Sequence, residues 1–202
     1  MSGVLDVDRL VAIDTHVHVE SDGHGCFSLD QELLDASAAY FKAGADRTPT
    51  MERLAEKYRG LGMAAVVFTV DAQTASGHPP LSSLEIVERC GTEFADVLIP
   101  FASVDPLRGP AAVEQAEQLV AAGARGFKFH PTMQAFAPND PAVYPLYEVI
   151  RDAGVPAVFH TGQTGIGAGL PGGRGLKLRY SQPMLLDDVA ADFPGLTVIL
   201  AH

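Results

Sequence analysis

Short apolar runs alternate with amphipathic stretches along this chain, and each apolar run ends at polar or histidine-bearing residues. Runs such as AAVVF and LTVIL are apolar throughout, which is typical of strands that are buried on both faces of a parallel sheet. The pattern predicts six strands, over residues 11–19, 63–71, 97–105, 124–131, 155–162 and 196–202.

Helix start and stop signals occupy the intervals between these strands. Ser82 and Glu85 form a capping box for a helix near residues 83–94, and Pro110 begins another helix that Gly123 ends. Three more helices are predicted from Thr48–Pro49 to Gly60 or Gly62, from Asn139 or Asp140 to Gly154, and from Ser181 to Phe193, with an additional amphipathic stretch over residues 28–43. This repeated strand–helix order indicates an all-parallel α/β fold.

The histidines decide between an open doubly wound sheet and a closed barrel. No glycine-rich dinucleotide fingerprint follows the first predicted strand, which argues against a Rossmann fold. Five of the seven histidines lie at or near the carboxyl ends of predicted strands: His16, His18, His130, His160 and His202. Because a (β/α) barrel carries its active site at that end, we expect a single barrel domain over residues 1–202.

The pair His16-Val17-His18 is the sharpest local feature. Side chains two apart on a strand share a face, so both imidazoles can reach one ion, and imidazole suits zinc and other divalent transition metals. His160 ends the run VPAVFH and is predicted to be a third ligand, although a core histidine bonded to backbone is the alternative. His202 ends LTVILAH and is predicted to act as an acid, a base or a water-orienting group.

Candidate substrate contacts lie on the fourth strand and in the loop after the fifth. Lys128 and His130 share one strand face in GFKFHP, but a buried lysine tied to carboxylates and a turn-forming histidine are equally compatible. The glycine-rich loop over residues 162–181 carries three basic residues that could hold an anionic group or simply face solvent: Arg174, Lys177 and Arg179.

Composition and charge limit the classes of molecule that this protein is expected to bind. The chain has 202 residues, of which 47% are hydrophobic and 19% charged, as in ordinary globular proteins. A formal charge of −11 argues against nucleic acid and anionic membranes as partners. The N-terminus does not resemble a signal peptide, and Cys26 and Cys90 lack the spacing of a zinc knuckle or redox pair, so we expect a cytoplasmic protein. Homo-oligomer formation is compatible with these features.

The motifs IDTHVHV, GFKFHP, FHTG and ILAH, in this order and spacing, resemble the amidohydrolase superfamily. They are most similar to its amidohydrolase-related branch, which includes aminocarboxymuconate-semialdehyde-decarboxylase-like proteins. The resemblance implies a distorted (β/α)8 TIM-type barrel in which His16, His18 and His160 bind a divalent metal, expected to be Zn²⁺, with His202 beside the water or substrate. The family's strand-eight aspartate has no counterpart here, so the chain is expected to hold about six of eight βα units and to be a fragment of a longer protein.

The resemblance implies a metal-dependent hydrolase that activates water against a small, carbonyl-containing and acidic substrate. Two alternatives stay open. One is a non-oxidative decarboxylase of an aromatic or muconate-type acid that uses the same metal site. The other is a fragment without catalytic competence.

Overall fold

Parallel strands follow one another in sequence order in the computed structural model of the chain. The structure describes residues 4–43 and 47–202. In these residues the strands are β1 (Ile13–His18), β2 (Ala64–Phe68), β3 (Leu98–Pro100), β4 (Phe127–Phe129), β5 (Ala157–His160) and β6 (Val198–Ala201). They form two three-stranded sheets, β1-β2-β3 and β4-β5-β6, and every pair within them is parallel.

Backbone hydrogen bonds continue across the junction between the two sheets. Ala102 N–H donates to the Gly126 carbonyl at 2.8 Å, and Lys128 N–H donates to the Ala102 carbonyl at 2.7 Å. Gly126 is needed here because a Cβ atom would lie 2.4 Å from the Phe101 ring. The six strands therefore form one parallel succession, and the prediction of a (β/α) barrel with six consecutive units is confirmed.

The helices lie between the strands, largely where the sequence predicts them. They are α1 (Gln31–Phe41), α2 (Met51–Leu61), α3 (Gln73–Ser76), α4 (Ser83–Thr92), α5 (Pro110–Ala122), α6 (Pro131–Gln134), α7 (Tyr144–Asp152) and α8 (Leu185–Asp192). Short 3-10 turns occur at Val7–Arg9, Pro106–Arg108, Pro141–Val143 and Leu178–Ser181. The turn over Pro171–Gly175 has a left-handed backbone at its three inner residues. In the described part of the chain, no helix is long and apolar enough to cross a membrane.

Two helix starts differ from the predictions. The first crossover helix is capped by Thr50, whose hydroxyl accepts from Arg53 N–H, rather than by Thr48 or Pro49. The last helix begins at Leu185 instead of Ser181. The Ser181 hydroxyl is buried and hydrogen-bonded to Thr132, so it does not act as a helix cap.

The strands are shorter than the apolar runs that predict them. The third run extends to residue 105, but β3 ends at Pro100, and isolated backbone hydrogen bonds follow it, including those from Phe101 N–H to the Val67 carbonyl and from Ala102 N–H to the Gly126 carbonyl. Beyond β2, buried polar groups replace the ladder: Asp71 N–H donates to the Ser103 hydroxyl at 3.1 Å. These irregular segments carry the carboxyl ends of the strands, where the barrel's polar residues collect.

The core is divided between the outside and the inside of the barrel. Outside, aromatic rings pack α7 and α8 against β4 and β5, with Phe129 stacked on Phe159 at 5.0 Å between ring centres. A second outer cluster packs α2 and α4 against β1 to β3. Inside, the buried apolar cluster is small and consists of Val66, Phe68, Phe101 and Val158. This arrangement leaves the carboxyl end of the barrel open to a polar site.

Candidate active site

A cavity of about 330 Å³ opens at the carboxyl ends of β1, β4 and β5. Five imidazoles line it: His16, His18, His130, His160 and His202. The rest of its wall comes mainly from the segment inserted after β1 and the loop after β5. The barrel thus brings together histidines that are far apart in sequence.

The rings of four of these histidines lie close to one another. Ring centres are 5.4 Å apart for His16 and His18, 4.9 Å for His16 and His202, and 5.1 Å for His160 and His202. The two histidines of β1 share a face because β1 alternates its side chains, as the sequence predicts. His202, which has a positive φ of 82°, lies between the β1 and β5 ligand candidates.

Burial keeps the imidazoles of His16, His18 and His160 neutral. It lowers the pKa of His16 to about 4, that of His18 to about 3 and that of His160 to about 4, and the positive charge of Lys128 adds to each shift. Neutral imidazoles keep a lone pair that a transition metal can accept. His160 also has a buried Nε2 atom without a hydrogen-bond partner. The nitrogen atoms of this cluster are therefore ligands of the kind that a divalent metal ion accepts.

The present side-chain positions do not yet form a closed ligand set. Within residues 4–43 and 47–202, no three His, Cys, Asp or Glu side chains are arranged to hold one ion. Lys128 Nζ lies 3.3 Å from His16 Nε2, so one candidate ligand atom is already engaged. The assignment of His16, His18 and His160 to one metal stays a prediction.

His130 supports the cluster from below. Its ring stacks on that of His160 with 4.0 Å between centres and only 7° between planes. Its Nδ1 accepts a hydrogen bond from Met133 N–H at 3.3 Å, which caps the short helix α6. His130 therefore lines the cavity and also shapes the turn that begins at Pro131, and its contact with substrate stays a prediction.

Lys128 lies beneath the histidines instead of on the cavity wall. Its side chain is fully buried, with Nζ 5.0 Å from the centre of the Phe68 ring. Burial lowers the pKa of Lys128 to about 7. The Lys128 amine contacts the imidazole of His16, whereas the sequence analysis expected a buried lysine to contact carboxylates. A direct substrate contact by Lys128 is not supported by this placement, because His16 lies against its amine.

Replacing Lys128 by methionine is expected to raise the free energy of unfolding by about 1–2 kcal/mol, because a buried polar group then gives way to an apolar side chain of similar length. Urea unfolding monitored by circular dichroism measures the change. Lys57→Met is the matched control, since Lys57 is exposed and also lies over an aromatic ring, at 5.3 Å from Tyr58. A clear loss of stability in Lys128→Met alone would contradict this account.

Glu20 is a site residue that the sequence prediction missed. It lines the cavity two residues beyond His18, its side chain is hydrogen-bonded to Ser28, and Oε1 lies 3.8 Å from His18 Nδ1. Burial raises the pKa of Glu20 to about 6. The sequence does contain a signal for Glu20. It lies two residues after His18, as His18 lies two residues after His16, so strand alternation would place all three side chains on one face.

The inserted helix α1 and the loop after β5 close over one side of the cavity. Leu29, Leu33 and Leu34 pack against Ile166 and Leu170 of that loop, with Phe27 and Met133 at the edge of the cluster. Gly165 permits the close approach, because a Cβ atom there would lie 2.4 Å from the Phe41 ring. Phe41 and Ile166 contribute apolar wall to the cavity.

The three basic residues of this loop are not brought to the cavity wall. Arg174 Nη1 binds both carboxylate oxygens of Asp30 at 2.7 Å and lies 3.2 Å from Glu32, so carboxylates of the insertion engage its charge. The exposed Arg179 donates to the Tyr180 hydroxyl at 3.1 Å. Lys177 also lies outside the cavity lining. The placement does not support the expectation that these residues hold the substrate's anionic group.

A buried amide ties three strand ends together next to the cavity. Gln134 is fully buried, and its side-chain NH₂ donates to the carbonyls of Asp71 and Val104, both at 2.8 Å. Its carbonyl oxygen accepts from His130 N–H at 2.9 Å. Gln134 therefore fixes the backbone of His130 relative to the ends of β2 and β3.

Comparison with known families decides what this barrel belongs to. A family described as Amidohydrolase matches residues 13–202, which is nearly the whole chain. The chain belongs to the amidohydrolase family. The resemblance carried by the histidine motifs is thereby confirmed. A comparison of this amidohydrolase chain with curated proteins finds no match.

Solved structures support the same fold at low sequence identity. An uncharacterised TIM-barrel protein, Bb4693 from Bordetella bronchiseptica, is 19% identical with a TM-score of 0.65, over 93% of this chain and 66% of that one. The 5-carboxyvanillate decarboxylase LigW from Sphingomonas paucimobilis is 15% identical with a TM-score of 0.57, over 94% and 67%. A second such decarboxylase, LigW2 from Novosphingobium aromaticivorans with bound manganese, is 11% identical with a TM-score of 0.54, over 99% and 66%. The amidohydrolase chain thus spans about two thirds of these proteins.

Proposed function

We propose that this amidohydrolase chain carries the metal-binding face of a metal-dependent hydrolase, with His16, His18 and His160 as ligands. The observation that carries the proposal is the group of imidazoles around one cavity, with the buried Nε2 of His160 lacking a partner. Binding through His16 Nε2 requires that its contact with Lys128 Nζ breaks, because one nitrogen lone pair cannot serve both.

A divalent ion bound here supplies polarisation of a carbonyl oxygen and activation of water. We propose Zn²⁺ first because nitrogen ligands suit it, and Mn²⁺ second because a structural neighbour is described with bound manganese. The cytoplasmic location expected from the cysteines also stays a prediction.

The chain's own residues supply proton transfer and orientation. Within the described ranges, Glu20 is the one carboxylate that lines the cavity. We propose that it accepts a proton from a reacting group. His202 lies against both His16 and His160. This contact supports the proposal that its ring orients the substrate or donates a proton. The inserted segment limits the access of water from one side.

A non-oxidative carboxy-lyase is the second candidate. The observation in its favour is the apolar wall formed by Leu29, Phe41, Val70 and Ile166, which suits a ring or hydrocarbon body better than a polar one. Two of the structural neighbours are decarboxylases by name. Candidate aromatic and muconate-type acids incubated with the protein distinguish the two reactions, since a lyase releases carbon dioxide and a hydrolase consumes water.

Replacing both His16 and His18 by alanine is expected to weaken Zn²⁺ or Mn²⁺ binding at least about 100-fold, because two of three nitrogen ligands are lost. Isothermal titration with each ion, followed by elemental analysis of the purified protein, measures the loss. The control is His24→Ala, which removes an exposed histidine that the structure places outside the cavity lining. If the double variant retains one tightly bound ion, the site lies elsewhere.

Catalytic incompetence of residues 1–202 by themselves is the third candidate, and metal content separates it from the other two. A purified chain that holds no tightly bound metal ion and turns over no acid, ester, lactone or amide substrate would favour this third candidate.

A further inference from the structure

A second, smaller cavity adjoins the active-site cavity beneath the inserted helix. Its volume is about 40 Å³. The two cavities share five lining residues, which form the boundary between them: Ser28, Leu29, Val70, Met133 and Ile166. Beyond that boundary the small cavity has walls of its own, which include Leu33 of α1, Ala72 after β2 and Leu176 of the loop after β5.

The polar groups around the small cavity are already engaged elsewhere. His78 Nε2 bonds to the Phe27 carbonyl at 2.9 Å, and the Ser76 hydroxyl donates to the Ala72 carbonyl at 2.8 Å. Asp30 caps α1 and binds Arg174, and the Ser28 hydroxyl donates to Glu20. What the small cavity offers to a ligand is therefore its hydrocarbon surface.

We propose that this small cavity is a specificity pocket for a short alkyl substituent of the substrate. The inference rests on the proposed function for the position of the substrate's polar end, at the imidazoles. The volume of the cavity sets the size of the substituent. An apolar cavity of about 150 Å³ holds benzene, which has six carbon atoms. A space of about 40 Å³ holds one or two carbon atoms. Met133 at the boundary is an unbranched side chain that can adjust to such a group.

The probes are benzoate and its methyl, ethyl, isopropyl and tert-butyl derivatives at each ring position. A ring with a carboxylate fits within a cavity of about 330 Å³. At one ring position, methyl and then ethyl should each tighten binding by about fourfold, as burial of one carbon group predicts, and tert-butyl should weaken it. Titration of the ¹³C-methyl resonance of Met133 measures the dissociation constants without any turnover.

Two substitutions at Leu33 should shift this preference in opposite directions. Leu33→Ala enlarges the small cavity and should move the optimum to isopropyl or tert-butyl, whereas Leu33→Phe fills it and should remove the gain from methyl and ethyl. Leu34→Ala and Leu34→Phe are the matched controls, because Leu34 is buried in the same cluster but lines neither cavity. Both controls should keep the wild-type order.

A wild-type protein that shows no preference at any ring position would overturn the proposal. So would an unchanged optimum in Leu33→Ala, which remains a test even if Leu33→Phe does not fold. Repeating the series on the His16→Ala/His18→Ala variant separates the two proposals. A size preference that persists there supports the specificity pocket, whatever the metal titrations show.

Discussion

Replacing Gln134 by leucine is expected to lower the free energy of unfolding by about 3–5 kcal/mol. The change keeps the volume but leaves three buried backbone groups without partners, and each such loss costs about 1–3 kcal/mol. The groups are the N–H of His130 and the carbonyls of Asp71 and Val104. Urea unfolding measures the loss, and the ¹³C-methyl spectrum of Met133 reports whether the α6 turn has moved.

Gln73→Leu is the control for this prediction. Gln73 is exposed in α3 and its side chain accepts from Arg108, so its loss should change the free energy of unfolding by about 0.5 kcal/mol or less. If both variants lose the same small amount, the buried amide does not hold the strand ends together, and His130 depends on its stacking with His160 instead.

Replacing Phe159 by alanine is expected to lower the free energy of unfolding by about 3–5 kcal/mol, the range for truncating a buried aromatic side chain. The ring is fully buried, stacked on Phe129, and meets the Tyr147 ring edge at 5.8 Å between centres. Because the next residue is His160, the variant should also broaden the resonances of that imidazole in NMR spectra.

Phe41→Ala provides the comparison for Phe159. The Phe41 ring is 60% exposed, so its removal should have a small effect on stability although it changes the cavity wall. Equal losses in the two variants would mean that the outer aromatic cluster is not the main core of this half of the barrel.

Local sequence patterns were sufficient to predict the fold and the position of the histidines around one cavity. The alternation of β1 places His16 and His18 on one face, and this follows from strand geometry alone. The order of βα units predicts that strand ends meet, which brings His160 and His202 to the same cavity. The ends of elements were less predictable, since β3 ends at Pro100 inside an apolar run and Ser181 uses its hydroxyl in a tertiary contact.

Partners that are distant in sequence explain what the sequence analysis missed. Arg174 was expected to be available to a ligand, but Asp30 and Glu32 of the insertion bind it, and no pattern within the loop indicates that. Lys128 was expected either to reach substrate or to meet a carboxylate, and it contacts His16. Glu20 was missed because it follows the last apolar residue of its run, although its spacing from His18 was available.

The strand order has a consequence for how the chain assembles during synthesis. Each of β2 and β3 pairs with the strand made before it, as do β5 and β6, so pairing can advance from the N-terminus while the rest is still being made. Contacts of α1 with the loop after β5 form later, because Arg174 is 144 residues from Asp30. We therefore expect α1 to dock only after the loop that follows β5 has been made, and to stay open to proteases in shorter nascent chains.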